Sequence, residues 1–220
     1  MTSPASRLAL ALLLVSGVSL GAHTARAAAI GAVLGLDRCG ISGDAPPNTE
    51  YAGKTGMVAG VQGEFGIARD ISISLQPMYV QRRTEVKAAN VAHGSSERVL
   101  ELSLDYISVP VLVKFGAAGG RTYVAGGVDL GFLTSARISG QGLDEDAKSS
   151  LSDMDLGAVF GFGVLIPVGR PRLTTELRYV QGLVNLSGDG SAGPSQSLPD
   201  RFHSSGWQLT AGILFPLGRR

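Results

Sequence analysis

Eight stretches of alternating apolar and polar residues run through the chain, and the connectors between them are alternately long and short. Each stretch has about the length that a tilted strand needs to cross a bilayer. The stretches are residues 29–38, 56–67, 71–82, 100–115, 121–136, 154–167, 172–186 and 206–217. The long polar connectors are 39–55, 83–99, 137–153 and 187–205, and the short ones are 68–70, 116–120 and 168–171. The alternation predicts an all-β fold, an eight-stranded antiparallel up-and-down transmembrane β-barrel with four long extracellular loops and three short periplasmic turns.

The sixth stretch indicates which side of this barrel faces lipid. In DLGAVFGFGVLIPVG, residues 155–169, one face is bulky and apolar and the opposite face is mostly glycine. The bulky face carries Leu156, Ala158, Phe160, Phe162, Val164 and Ile166, and the other carries Gly157, Val159, Gly161 and Gly163. This split predicts hydrocarbon outside and a narrow interior. The alternative, a soluble periplasmic barrel that holds an apolar ligand in the lipocalin manner, would place the bulk inside.

The other stretches agree with this sidedness. Aromatic residues are predicted in two belts, with Phe65, Phe115, Tyr123 and Phe215 near the short turns and Tyr79, Phe132 and Trp207 near the loops. The predicted inward residues are Gln62, Glu64, Gln76, Arg82, Lys114, Asp129, Glu176, Arg178 and Gln208. Side chains can just fill an eight-stranded barrel, so cross-barrel ion pairs are favoured over a gated or very narrow conduit.

Residues 100–115 change phase along their length. Leu100, Leu102 and Leu104 set one phase, and Ile107, Val109, Val111, Val113 and Phe115 set the other. A β-bulge near Asp105-Tyr106 would reconcile the two and would turn Pro110 and Lys114 inward. Because proline lacks a ladder donor, Pro77 and Pro110 require bulges or unpaired positions, whereas Pro167 and Pro216 lie near strand ends.

The first 27 residues have the organisation of a signal peptide. MTSPASR precedes the apolar core LALALLLVSGVSLG, and Ala25-Arg26-Ala27 has the small-x-small pattern of a cleavage site. The prediction is a cleaved signal at 1–27 and an outer-membrane β-barrel domain at 28–220. An uncut membrane anchor is the alternative, although the core is shorter than the ~20 residues of a span. Cys39, the only cysteine, lies too far downstream for a lipoprotein anchor.

Composition and motifs point away from several functions. Removal of the signal leaves 17 basic and 18 acidic residues. The sequence has no basic patch of the kind that would indicate a nucleic-acid partner. His203 and Ser205, with Asp200 nearby, resemble the His-x-Ser arrangement of lipid A deacylase barrels, and an outer-membrane lipid-modifying hydrolase is therefore a distant alternative. His93 and the acidic run Asp144-Glu145-Asp146 are predicted to be solvated loop residues. No catalytic, cofactor-binding or metal-binding residue and no cofactor are predicted.

One strand carries a resemblance to a known family. DYISVPVLVKFG, residues 105–116, resembles the YLxIPLLLKY strand of the outer membrane protein beta-barrel domain family, the PorT-like small barrels of bacterial outer membranes. The resemblance extends to GGRTYVAGGVDLGFL, to the GxGVLIPVG strand and to the closing strand GWQLTAGILFPLG. The chain departs from many such barrels by ending in PLGRR rather than an aromatic residue. The resemblance implies a bacterial outer-membrane location without an established enzymatic activity.

The expected partners follow from this location. The barrel wall would contact outer-membrane lipid, and the long loops would contact other envelope or extracellular molecules. A monomer is favoured. The expected function is a non-catalytic structural or surface-interaction role.

Overall fold

A computed structural model describes residues 28–42, 49–89, 97–116, 120–140, 143–146, 148, 152–184 and 203–217. The strands are β1 Ala28–Ser42, β2 Thr49–Gly66, β3 Ile71–Leu75, β4 Met78–Ala89, β5 Glu97–Gly116, β6 Thr122–Gly140, β7 Leu143–Asp146, β8 Met154–Pro167, β9 Arg172–Gly182 and β10 His203–Pro216. Within these ranges, no helix is long and apolar enough to cross a membrane.

The described strands pair in an antiparallel ring that closes on itself. Around the ring the order is β1, β2, the pair β3 and β4, β5, β6, β8, β9 and β10, and β10 pairs again with β1. The strand β7 pairs only with the loop end of β6. Closure satisfies the backbone groups that an open sheet would leave at its edges. The predicted all-β antiparallel barrel is confirmed.

Two prolines explain why β3 and β4 are separate strands. The pairs Leu75 with Val111 and Met78 with Ser108 keep one register, so β3 and β4 continue each other across 76–77. Pro77 and Pro110 face this short gap, where neither can donate a ladder hydrogen bond. Pro77 occupies an unpaired position between β3 and β4, which is one of the two predicted arrangements. Pro110 lies within β5, where it pairs with Asp129 of β6 and its carbonyl accepts a hydrogen bond from Gln76 N–H at 3.0 Å, so the arrangement predicted for it is wrong.

The predicted bulge is present, but its extra residue lies in the neighbouring strand. The register between β5 and β6 shifts at Asp105/Tyr106, and Thr134 of β6 is the residue without a partner. Thr134 Oγ1 donates a hydrogen bond to the Asp105 carbonyl at 2.8 Å. Strand β5 keeps one phase throughout, so Leu102 and Leu104 point inward rather than towards lipid. The predicted inward positions of Pro110 and Lys114 are confirmed.

The strands near the loop end are longer than predicted. Residues 39–42 and 49–55 lie in β1 and β2, although the sequence predicts a loop over 39–55. The strand β4 likewise continues to Ala89, and β5 begins at Glu97. These extensions lie beyond the lipid-facing band and are rich in polar residues. They therefore lack the alternation of apolar and polar residues from which the strands were predicted.

The outward face is apolar, as predicted. Phe160 is 65% exposed, and Phe162, Ile166, Leu209 and Leu34 are similarly open. Trp207 is outward and packs against Tyr179, with ring centroids 5.1 Å apart. In a soluble protein a band of this extent would be a large exposed apolar surface. It matches the lipid-facing band of a membrane barrel.

Tyr123 corrects the predicted aromatic belt. Its side chain is 6% exposed and points into the barrel, whereas Phe115 and Phe215 face outward near the short turns. Tyr123 shares the inward phase of Ala125 and Asp129, and its hydroxyl finds a carboxylate partner inside. A buried phenol needs such a partner.

Candidate functional site: the charged barrel interior

A buried arginine near the loop end of the interior is surrounded by three aspartates. Arg82 Nη1 lies 2.6 Å from Oδ2 of Asp155. Its Nη2 lies 3.7 Å from Oδ2 of Asp129, and its Nε lies 3.8 Å from Oδ2 of Asp37. The four residues come from β4, β8, β6 and β1, so this cluster, the Arg82 cluster, joins strands across the barrel.

Neutral groups complete the Arg82 cluster. Arg82 Nη1 donates a hydrogen bond to Ser204 Oγ at 3.0 Å, and the Ser204 hydroxyl donates to Asp155 at 3.2 Å. The guanidinium lies 4.8 Å from the centroid of the Tyr106 ring, a cation–π contact. The Ser108 hydroxyl donates a hydrogen bond to Asp129. Every strand around this level except β9 and β2 therefore contributes a side chain to the cluster.

A second ionic cluster lies nearer the short turns. Lys114 Nζ is 3.6 Å from Glu64 Oε2 and 3.5 Å from Glu176 Oε2. Tyr123 donates a hydrogen bond to Glu176 at 2.8 Å, and its ring lies 4.6 Å from the Lys114 ammonium. Arg172 Nη2 is 3.6 Å from Glu64 and closes the cluster on the turn side. This set is referred to below as the Lys114 cluster.

Arg178 lies between the two clusters and is fully buried. Its Nε donates to Gln208 Oε1 and its Nη1 to Gln76 Oε1, both at 2.8 Å. Its Nη1 also lies 3.7 Å from Glu176 of the Lys114 cluster. Arg178 Nη2 contacts the Met78 sulfur at 3.4 Å. The guanidinium thus spans the interior from β9 to β10 and to the β3–β4 junction.

Apolar side chains pack beyond the Arg82 cluster on its loop side. They are Leu102, Leu104, Tyr106, Leu133 and Ala136, all buried. A pocket beside Asp37, Arg82 and Gln208 has no room for a water-sized sphere. The interior is therefore filled by side chains at this level, as predicted for a barrel of this width.

Five carboxylates and four cations lie inside the described part of the barrel. The buried carboxylates are Asp37, Glu64, Asp129, Asp155 and Glu176, and the buried cations are Arg82, Lys114 and Arg178. Arg172 adds a fourth cation at the turn side. Ions removed from water are tolerated only when they are paired and hydrogen-bonded. The arrangement fastens opposite walls of the barrel to one another.

All nine predicted inward residues are buried inside the barrel. The prediction missed Asp37 and Asp155, which are two of the three partners of Arg82. Both lie in predicted strands and share a phase with inward residues, Asp37 with Val33 and Asp155 with Gly157. The alternation of inward and outward residues, applied to these two strands, would have predicted that both aspartates face inward.

The loop residues considered for chemistry do not assemble a described site. The strand β10 begins at His203, so positions 203 and 205 lie on the same side of the strand as the outward Trp207. Asp200 and His93 lie outside the described residues, as do the side chains of His203 and Cys39. The acidic run Asp144-Glu145-Asp146 lies in β7, paired with β6, rather than in a loop. The described residues contain no group of three His, Cys, Asp or Glu side chains able to hold a metal ion.

Gly163 provides the space that the Tyr123 ring occupies. A methyl group built at Gly163 would overlap the ring of Tyr123, its partner on β6. Gly163→Ala should therefore displace Tyr123 from Glu176 and lower the free energy of unfolding by about 1–3 kcal/mol. Gly126→Ala is the matched control, since its methyl group meets only the Val159 carbonyl at 4.0 Å. Urea unfolding in lipid vesicles measures both, and equal stabilities of the two variants would contradict the role assigned to Gly163.

The sequence matches one protein-family model. The model, described as outer membrane protein beta-barrel domain, matches residues 17–188. The chain belongs to this family. Its members are outer-membrane barrels, and the apolar outward band and closed ring described above agree with that location. The family member described here is thus an integral β-barrel of the bacterial outer membrane. No curated protein matches the sequence.

The solved structures to which the chain is similar include small outer-membrane proteins. OprG from Pseudomonas aeruginosa is 12% identical with a TM-score of 0.55, and the match covers 90% of this chain and 98% of OprG. Neisserial surface protein A is 14% identical with a TM-score of 0.46, covering 85% of this chain and 97% of that one. Ail of Yersinia pestis, solved with the heparin analogue sucrose octasulfate, is 15% identical with a TM-score of 0.44, covering 86% and 99%. The similarity to OprG supports the fold of this family member.

Proposed function

We propose that the protein is a non-catalytic outer-membrane barrel with a closed interior, whose loop end contacts molecules of the envelope or the cell exterior. The observation that supports this function is the filling of the interior by the Arg82 cluster, Arg178 and the Lys114 cluster. These side chains hydrogen-bond and pair with one another across the barrel. A conduit needs polar groups that are free to exchange with water and solutes, whereas these groups are engaged in holding the walls together.

The closed interior predicts that the protein does not conduct ions. Purified protein in planar bilayers should show no stepwise conductance above the lipid baseline, because ion pairs and apolar side chains occlude the passage. An open porin reconstituted in the same lipids serves as the positive control, and heat-modifiable migration on a gel shows that the tested sample is folded. Reproducible single-channel steps from the folded protein would contradict a closed barrel.

The absence of catalysis is part of the same proposal. Positions 203 and 205 lie on the same side of β10 as the outward Trp207, whereas the interior carboxylates lie on the other side, which supports a role without catalysis. Cells that carry His203→Ala and Ser205→Ala in place of the wild-type protein should have unchanged lipid A by mass spectrometry. An acyl chain retained only in the variant strain would indicate a hydrolase instead.

Contacts with molecules outside the cell are assigned to the long connectors. A surface role is supported by the described strand ends that these connectors join, which lie together at one end of the barrel. The ring closes within one chain, which supports a monomer, since no open edge invites a second copy. Protease treatment of intact cells should cleave residues 185–202 and leave the barrel intact. Protection of this segment in intact cells would contradict the assigned orientation.

We also propose that residues 1–27 are a cleaved signal peptide. The apolar core that follows MTSPASR and the small-x-small pattern of Ala25-Arg26-Ala27 support this boundary. The intact mass of protein purified from outer membranes should correspond to residues 28–220. A mass that includes residues 1–27 would indicate an uncut anchor.

A further inference from the structure

Strands that run towards the short-turn end share a three-residue ending. An apolar residue, a small residue and an arginine follow one another in Ile67-Ala68-Arg69, Val168-Gly169-Arg170 and Leu217-Gly218-Arg219. The first two follow β2 and β8; in the third, Leu217 follows β10, and Gly218 and Arg219 are outside the described residues. The remaining such strand, β5, ends at Gly116, and its turn finishes with Arg121. Each short turn therefore presents an arginine.

The apolar member of each ending marks the edge of the lipid-facing band. Ile67, Val168 and Leu217 are 56%, 50% and 64% exposed, the exposures expected of side chains that face hydrocarbon. The arginine comes two residues later, beyond the end of the strand. A long arginine side chain that starts from the turn can extend past the hydrocarbon edge into the headgroup layer.

Backbone hydrogen bonds hold these short turns in place. Ile67 N–H donates to the Ile71 carbonyl at 2.9 Å, and Val168 N–H donates to the Pro171 carbonyl at 2.9 Å. Gly120 and Gly169 adopt positive φ angles of 71° and 68° immediately before Arg121 and Arg170. Glycine is favoured at such angles because it has no Cβ. These bonds fix the backbone beside Arg69 and Arg170, and the Arg121 carbonyl accepts a hydrogen bond from Leu165 N–H at 2.6 Å.

Positive charge predominates at this end of the barrel. Arg69, Arg121 and Arg170, called the rim arginines below, are all exposed. In the described residues of the three turns, Asp70 is the one acidic side chain. Short turns of outer-membrane barrels face the periplasm, so the rim arginines lie at the headgroups of the inner leaflet. Clustered basic side chains at a membrane surface attract anionic lipid headgroups.

We propose that the rim arginines form a binding collar for the phosphate groups of anionic phospholipids in the inner leaflet. The apolar residue of each ending packs against the acyl chains, while the guanidinium binds the headgroup phosphate of the same layer. Arginine suits this role because its planar fork can bind phosphate oxygens through two hydrogen bonds. The collar would also fix the height of the barrel in the membrane.

Native mass spectrometry of the purified full-length protein tests the collar. The protein in detergent is given equimolar phosphatidylglycerol and phosphatidylcholine, and retained lipids are counted. The wild type should retain phosphatidylglycerol preferentially. Each basic residue near an anionic surface contributes about fivefold to binding, so Arg69→Gln/Arg121→Gln/Arg170→Gln should reduce the preference at least tenfold. The matched control, Arg38→Gln/Arg83→Gln/Arg137→Gln at the loop end, should change it less than about twofold.

The controls separate the collar from other anion sources. Millimolar inorganic phosphate should leave the lipid preference in place, since it lacks the acyl chains held by the apolar residues. Absence of a preference in the wild type would overturn the proposal, as would equal losses in the two triple variants. Co-sedimentation of the wild type but not the rim variant with purified peptidoglycan, without any lipid preference, would assign the collar to that polymer and overturn the lipid assignment. Heat-modifiable migration verifies the folding of every variant, and the wild-type measurement needs no substitution.

Discussion

Arg82→Met should lower the free energy of unfolding by about 3–5 kcal/mol, the largest loss expected from a single interior substitution. Methionine keeps most of the side-chain volume, so the change removes the positive charge without opening a large cavity. The aspartates at positions 37, 129 and 155 then face one another in a buried site without the guanidinium they share. Removing one partner of a buried ion pair leaves an uncompensated charge, which is the source of the loss.

The neighbouring residue supplies the control for this prediction. Arg83→Met removes the same charge from the outward side of β4 and should change the stability by less than about 0.5 kcal/mol. Adding Asp155→Asn to Arg82→Met removes a carboxylate from the cluster and should recover part of the loss. Urea unfolding in lipid vesicles, followed by Trp207 fluorescence, measures all three. Equal stabilities of the Arg82 and Arg83 variants would show that the cluster does not hold the barrel together.

The direction in which each strand faces could be predicted from the sequence because lipid and a narrow interior impose opposite demands. Phe160 and Gly161 illustrate the rule, since bulk is accepted on one side of β8 and only small groups on the other. The nine predicted inward residues follow from the same period of two. The interruption of the strand at Pro77 and the bulge opposite Asp105 could also be predicted from backbone chemistry, whereas the bulged residue, Thr134 of β6, could not.

Cross-barrel partners could not be predicted because they depend on how far neighbouring strands are offset around the ring. Arg82 and Asp155 are 73 residues apart in the chain, and their approach follows from the accumulated register of the intervening strands. Leu102, Leu104 and Tyr123 were assigned to lipid because hydrophobic and aromatic residues are ambiguous by themselves. Leu102 and Leu104 face inward because the interior of the loop half of the barrel accepts apolar side chains. Tyr123 faces inward because Gly163 leaves room for its ring.

Leu34→Arg should be the second most damaging single substitution, although Leu34 is 63% exposed. Leu34 lies on the outward face of β1 and pairs with Ala211, halfway between Trp207 and Phe215 on β10. Those two aromatics mark the two interfaces, so Leu34 lies near the bilayer midplane. An arginine at that depth should lower the free energy of unfolding by about 2–4 kcal/mol.

The comparison of Leu34→Arg with Ile30→Arg tests most directly whether lipid surrounds the barrel. Ile30 is 51% exposed on the same face of the same strand and pairs with Phe215 at the interface, about 13 Å away along the strand and about 10 Å away in depth for a strand tilted by about 40°. Urea unfolding in lipid vesicles should show a loss of about 2–4 kcal/mol for Leu34→Arg and of about 0–1 kcal/mol for Ile30→Arg. Two small and equal losses, as expected for exposed positions in water, would contradict a lipid-facing outer wall.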